Sequence, residues 1–141
     1  MACRISHTSF DAHNAYAQSE WWKQVLTGYT DVPGDPNEPG HDECMIVPPA
    51  DGSAGAAGPL LFLEVPEGKG VKNRLHLDLR PTDRSRDEEV ERVVGLGATA
   101  LDDRRTPDGK GWVVLADPEG NEFCILRSEA ELESAAAGPE A

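Results

Sequence analysis

Two periods run through the apolar positions of this chain, and together they mark its elements. Residues 74–80 alternate strictly, with Leu75, Leu77 and Leu79 on one side and Arg74, His76, Asp78 and Arg80 on the other. A strand with one core face and one polar face reads this way. Residues 5–12 form a further candidate strand, 44–47 and 60–65 are short ones, and a weaker strand surrounds 29–32. Residues 15–26 instead carry Trp21, Trp22, Val25 and Leu26 at helical spacing and stop near Gly28. A second helix, capped by Asp83 or Ser85, extends to about Leu96; Val90, Val93 and Val94 make its apolar face, and Gly95 and Gly97 mark its end. Strands at 99–102, 112–116 and 122–126 complete the series. The last two are joined by residues 117–121, where Pro118 presets the turn and Gly120 tolerates a positive φ.

The order recurs. His7 precedes Gly28 by 21 residues and His76 precedes Gly97 by 21, and the same offset of 69 aligns Asn14 with Asp83 and Val25 with Val94. Strand, cap, helix face and helix stop therefore repeat together. Two βαβββ units are expected, with the helices outside and the sheets curled into a cup on which polar inward side chains converge. Residues 31–42 are rich in proline, glycine and acidic side chains and 51–59 in glycine, alanine and serine, so both read as connections between strands. After Arg127, residues 128–134 read as a short helix and 135–141 as a fraying end with nothing to bury.

A length of 141 residues suits one folding unit. A formal net charge of -13, with scattered lysines and arginines, offers no basic stripe for phosphate backbones, which argues against nucleic acid. No apolar run approaches the roughly 20 residues that span a bilayer, and the first residues lack a signal-peptide pattern, so a cytoplasmic protein without membrane contact is expected. Cys3, Cys44 and Cys124 include no CxxC pair, which favours reduced thiols over a disulfide framework or a zinc knuckle.

Three stretches carry a resemblance: residues 71–79 (VKNRLHLDL), the Leu-Gly-Ala helix end at 96–98, and residues 112–124 (WVVLADPEGNEFC). With Ile5-Ser6-His7 and residues 21–26 (WWKQVL), they are similar to the glyoxalase-like branch of the vicinal oxygen chelate superfamily, which includes glyoxalases, bleomycin resistance proteins and dioxygenases. The resemblance covers about residues 4–127. It implies an α+β fold of two βαβββ modules, here 4–66 and 72–127, within one domain of residues 1–127 followed by the tail at 128–141. It also implies a homodimer. Metal enzymes of that superfamily take ligands from the first, fourth, fifth and eighth strands. His7 and His76 match the first and fifth. The fourth-strand position falls on Phe62 or Glu64 according to register, and only Glu64 can bind an ion. The eighth-strand glutamate, seven residues after the Asp of the turn, is replaced by Cys124.

Two functional classes follow. In one, the cup binds a small, partly aromatic molecule without a full catalytic metal site, lined by His7, Phe62, Arg74, His76, Asp78, Trp112 and Cys124. In the other, His7, Glu64 and His76 hold a divalent ion (Zn, Ni, Mn or Fe) facially, leaving positions open for a substrate with vicinal oxygens in a lyase, isomerase or dioxygenase reaction. Plainer readings stand beside these. His76, Asp78 and Arg74 also read as a buried hydrogen-bonded cluster, Cys124 as a core or cavity-wall residue, Trp112, Phe62 and Trp22 as aromatics that either contact a ligand or build the core or a subunit interface, and Trp21 or Trp22 above all as core. His13 and His41 read as surface residues, and the acidic run at 83–91 as a solvated first helical turn.

Overall fold

The computed structural model of the protein describes residues 3–137, so the expectation of fraying beyond Ala137 lies outside the described residues. The chain divides into two compact units, one ending at Lys69 and one beginning at Gly70. The first contains β1 (Thr8–Ala12), α1 (Ala15–Val25), β2 (Thr30–Asp31), β3 (Glu43–Val47) and β4 (Leu60–Glu64). The second contains β5 (Leu77–Leu79), α2 (Arg86–Gly95), β6 (Thr99–Asp103), β7 (Val113–Ala116), β8 (Glu122–Ile125) and the added helix α3 (Glu129–Ala136). Each is a βαβββ unit with the same sheet order, β1-β4-β3-β2 and β5-β8-β7-β6. In both sheets the first strand runs parallel to the fourth and the remaining pairs are antiparallel.

In the first unit every second residue faces α1. Phe10, Phe62 and Cys44 are paired across β1, β4 and β3, and Phe10 meets the rings of Trp22 and Phe62 edge-on at centroid distances of 5.5 and 5.3 Å. Trp22, Phe62, Cys44 and Ile46 are fully buried, each 0% exposed. Asn14 caps α1 by accepting from the Ala17 amide, and Gly28, at φ +69°, turns the chain into β2. The loop after β2 is anchored by Asn37, whose side-chain amide donates to Asp31 and to the Met45 carbonyl, both at 2.8 Å.

The second unit repeats the scheme on α2. Val113, Leu115, Phe123 and Ile125 are buried on one sheet face, in register with Leu77 and Leu79, and Val90 and Val93 of α2 are buried with them. Ser85 is the cap, accepting from the Glu88 amide; Asp83 is bonded to Arg84 instead. The two helix caps therefore stand 71 residues apart rather than 69. Val94 departs from the expected apolar stripe at 43% exposure. The alternating run 74–80 pairs as a strand only at Leu77–Leu79, leaving Leu75 88% exposed. The 117–121 turn closes as its chemistry dictates: the Asp117 carboxylate accepts from the Glu119 and Asn121 amides at 2.9 and 3.0 Å, and Gly120 adopts φ +90°.

Two features escape periodicity. Arg86, the first residue of α2, is only 4% exposed, and its Nη1 donates to the carbonyls of Gly109, Lys110 and Gly111 at 2.9–3.1 Å. It pins the connection between β6 and β7 onto the helix start. At Gly111, φ is +89° and a Cβ would lie 2.0 Å from the Arg104 carbonyl oxygen, so no other residue fits there without moving the backbone. The tail forms α3 with a capping box at Ser128 and Glu131, and the same Glu131 carboxylate accepts from the Arg86 amide at 2.8 Å. Among the described residues no helix is long and apolar enough to cross a membrane.

Trp22→Ala is expected to destabilise the protein by about 3–5 kcal/mol through the cavity left against Phe10 and Phe62, measured as a lowered urea midpoint with little change in slope.

Candidate functional site

Strand register decides which chemistry-bearing residues can meet. In the second sheet Asp78 pairs with Cys124 across the parallel β5–β8 ladder, and Cys124 pairs with Val114 across β7–β8. Directly paired residues project from one face, and in alternation so do His76, Trp112 and Glu122. This face is opposite the one sealed by α2. It carries a compact group: one donor atom from each of His76, Asp78 and Cys124 lies within 4.8 Å of the others. His76 Nε2 stands 3.4 Å from Asp78 Oδ1, and both side chains are about half exposed, at 44% and 53%. The cluster is thus open to solvent above Cys124, which is buried at 3%. A wholly buried polar cluster is not what forms, because β5 begins only at Leu77 and His76 sits just ahead of it. Arg74 is exposed in the segment leading in.

Burial pushes the Cys124 thiol up to about 11, and the neighbouring Asp78 carboxylate adds to the shift by repelling a thiolate and accepting the thiol's hydrogen bond. The Cys44 thiol is raised too, again chiefly by burial. Both are protonated at neutral pH and poor nucleophiles without another cation to stabilise the anion.

Trp112 is 44% exposed on the same face as Cys124, whereas Trp21 and Trp22 are 7% and 0% exposed and belong to the core. Glu122 was not singled out by sequence reasoning. Its side chain, 7% exposed, takes Lys72 Nζ as an ion-pair partner and the Asn73 amide as a hydrogen-bond donor at 3.0 Å, tying the segment before His76 to the start of β8. Nothing in an acidic residue after Gly-Asn distinguishes it from a solvated one; its burial follows from the fold. Asn73 Oδ1, in that same segment, is buried without a hydrogen-bond partner.

The first unit offers a different picture. Phe62 faces α1 at 0% exposure and is therefore core rather than a wall for a ligand. Glu64 follows it in alternation on the α1 side of β4, paired with Ala12. His7, one residue ahead of β1, alternates instead with Ser9 and Asp11 on the opposite face, its Nδ1 3.0 Å from Ser6 Oγ. His7 and Glu64 consequently do not converge on one ion from this sheet. His13 and His41 are exposed, as expected; His41 Nδ1 accepts from the Glu38 amide at 3.2 Å.

Repeated βαβββ units with this sheet order are matched by comparison with known proteins. The glyoxalase-like domain family matches residues 7–126. The chain belongs to that family. Solved glyoxalase-type structures share its fold at low identity. A glyoxalase/bleomycin resistance protein/dioxygenase family enzyme from Burkholderia phytofirmans PsJN is 19% identical, with a TM-score of 0.61 over 87% of this chain and 97% of that one. A mutant of the fosfomycin resistance protein FosX from Listeria monocytogenes, complexed with Mn(II) and 1S,2S-dihydroxypropylphosphonic acid, is 14% identical, with a TM-score of 0.65 over 98% and 100% of the two chains. FosX from Mesorhizobium loti is 16% identical, with a TM-score of 0.59 over 96% and 99%. No curated protein matches the sequence. Within the glyoxalase-like family, then, this chain presents His76, Asp78 and Cys124 together on one sheet face.

Thiol labelling should separate the cysteines. Exposed Cys3 is expected to react promptly with iodoacetamide at pH 7, while buried Cys124, with roughly one molecule in ten thousand as thiolate, and buried Cys44 are expected to react only in urea. Mass spectrometry of the labelled peptides reads the order.

Proposed function

We propose that this glyoxalase-like protein binds a small, partly aromatic molecule on the free face of its second sheet, contacted by His76, Asp78, Arg74, Trp112 and the wall formed at Cys124. The observation that carries the reading is an imidazole and a carboxylate 3.4 Å apart on the sheet face opposite Val90 and Val93 of α2, with the half-exposed Trp112 indole on the same face further along the strands. The imidazole and carboxylate accept or donate hydrogen bonds to ligand oxygens, and the indole stacks on a planar or apolar part. The buried, partnerless Asn73 Oδ1 in the segment leading into His76 is a further acceptor for a hydroxyl.

A divalent-metal lyase, isomerase or dioxygenase acting on a substrate with vicinal oxygens is the second reading, favoured by the grouping of His76, Asp78 and Cys124. An ion there would polarise a substrate oxygen as a Lewis acid. A hard ion such as the Mn(II) of the Listeria FosX complex is a poor fit, since the third donor is a thiol where an oxygen is wanted. A homodimer located in the cytoplasm completes the proposal. Ile5, Val71 and Leu75, exposed at 87%, 82% and 88%, give apolar surface for a partner copy to cover, which light scattering would report as twice the chain mass.

Titrating the whole protein with catechol and with 1S,2S-dihydroxypropylphosphonic acid, read by tryptophan fluorescence, tests the reading. Saturable quenching through Trp112 is expected, weakened about tenfold or more by Asp78→Asn and by His76→Ala. Binding that neither substitution changes would remove this face from consideration.

A further inference from the structure

We infer that Arg86 is the positioning residue for the ligand-facing indole of Trp112, and that Glu131 of α3 sets Arg86 in turn, so that the C-terminal helix governs the order of the binding face. The inference rests on the reading of the free face of the second sheet as the binding site, where Trp112 supplies the flat apolar contact.

The geometry of the β6–β7 connection carries it. The loop is closed by its own backbone: the Arg104 amide donates to the Trp112 carbonyl at 2.8 Å and the Thr106 amide to the Lys110 carbonyl at 3.0 Å. Carbonyls of an extended chain point to alternate sides, but Gly109 and Gly111, at φ +86° and +89°, let those of residues 109, 110 and 111 turn to a single point. Converging carbonyl dipoles repel one another unless a cation stands among them. Arg86 Nη1 belongs to that cation, buried and fixed to the start of α2. Its Nε donates to Asp87 at 2.9 Å, and Asp87 also takes Arg105 Nη1 at 3.2 Å, so the first two residues of α2 hold both arms of the loop. Trp112 follows Gly111 directly, and its indole, 44% exposed, takes its aim from the backbone that these contacts fix. A strand end ordered before the ligand arrives lowers the entropy cost of stacking on it.

A single carboxylate extends the chain of contacts to the tail. Glu131 accepts from the Arg86 amide and from the Ser128 amide, both at 2.8 Å, and so closes the first turn of α2 and of α3 together. None of the residues of α3 is buried, so the helix is held by polar contacts of this kind.

The test uses the full chain with two readouts, amide exchange followed by NMR and catechol affinity by calorimetry. Arg86→Lys keeps the charge, but its ammonium ends one bond short of the Nη1 position. The Arg104 and Thr106 amides are expected to exchange at least about tenfold faster in that variant and about threefold faster in Glu131→Gln, while the β7–β8 ladder exchanges as in the parent. Arg86→Lys should weaken catechol binding about fivefold, and should have no further effect once Trp112→Ala is in place. Unchanged exchange at Arg104 and Thr106 overturns the inference. So does faster exchange spread evenly over the β7–β8 ladder, or a loss of affinity that is the same with and without Trp112. Should Arg86→Lys not fold, Glu131→Gln decides by the same readouts. If catechol does not bind the parent, the ligand reading falls, and faster exchange confined to the loop establishes the hold on Trp112 alone.

Discussion

Each sheet in this protein has one face packed with its own helix and an opposite face that carries its chemistry-bearing side chains, and the two-residue period of the strands enforces the division. Once Phe10 and Phe62 turn toward Trp22, and Phe123 and Ile125 lie in the buried layer with Val90 and Val93, every neighbouring residue on those strands must point the other way. The free face of the second sheet is therefore a by-product of its core. A shift of one residue in the β5–β8 register would bring a core leucine opposite Cys124 and place Asp78 beside Phe123 or Ile125, so the apolar packing that excludes this slip also holds the polar group together.

Polar contacts at the ends of the strands complete the frame. Glu122 holds the segment before His76, Arg86 holds the connection between β6 and β7, and Glu131 of the added helix accepts from the Arg86 amide. All three are charged residues, and the burial of Arg86 and of the Glu122 side chain is stable because each meets acceptors or donors that only the folded chain supplies. The cap at Ser85 rather than Asp83 belongs with these: Asp83 is drawn to Arg84, and the helix begins two residues further on than the internal repeat suggests.

The sulfur of Cys124 on β8 sits beside the Asp78 carboxylate on the free face of the second sheet. A thiol buried beside a carboxylate is held protonated, which makes Cys124 a poor nucleophile at neutral pH.

The amino-acid sequence by itself determined the element order, the repeated βαβββ plan, the helix stop at Gly28, the 117–121 turn and the family, because hydrophobic periodicity and turn chemistry are local properties. It also pointed to His76, Asp78, Trp112 and Cys124. It did not determine where the pairing of β5 begins, that Phe62 is core, or that Glu64 and His7 occupy opposite faces of the first sheet. Nor did it reveal the burial of Arg86 and Glu122. Those outcomes depend on strand register and on which face a helix covers, and register is settled only when residues far apart in the chain, such as Asp78 and Cys124, are brought side by side.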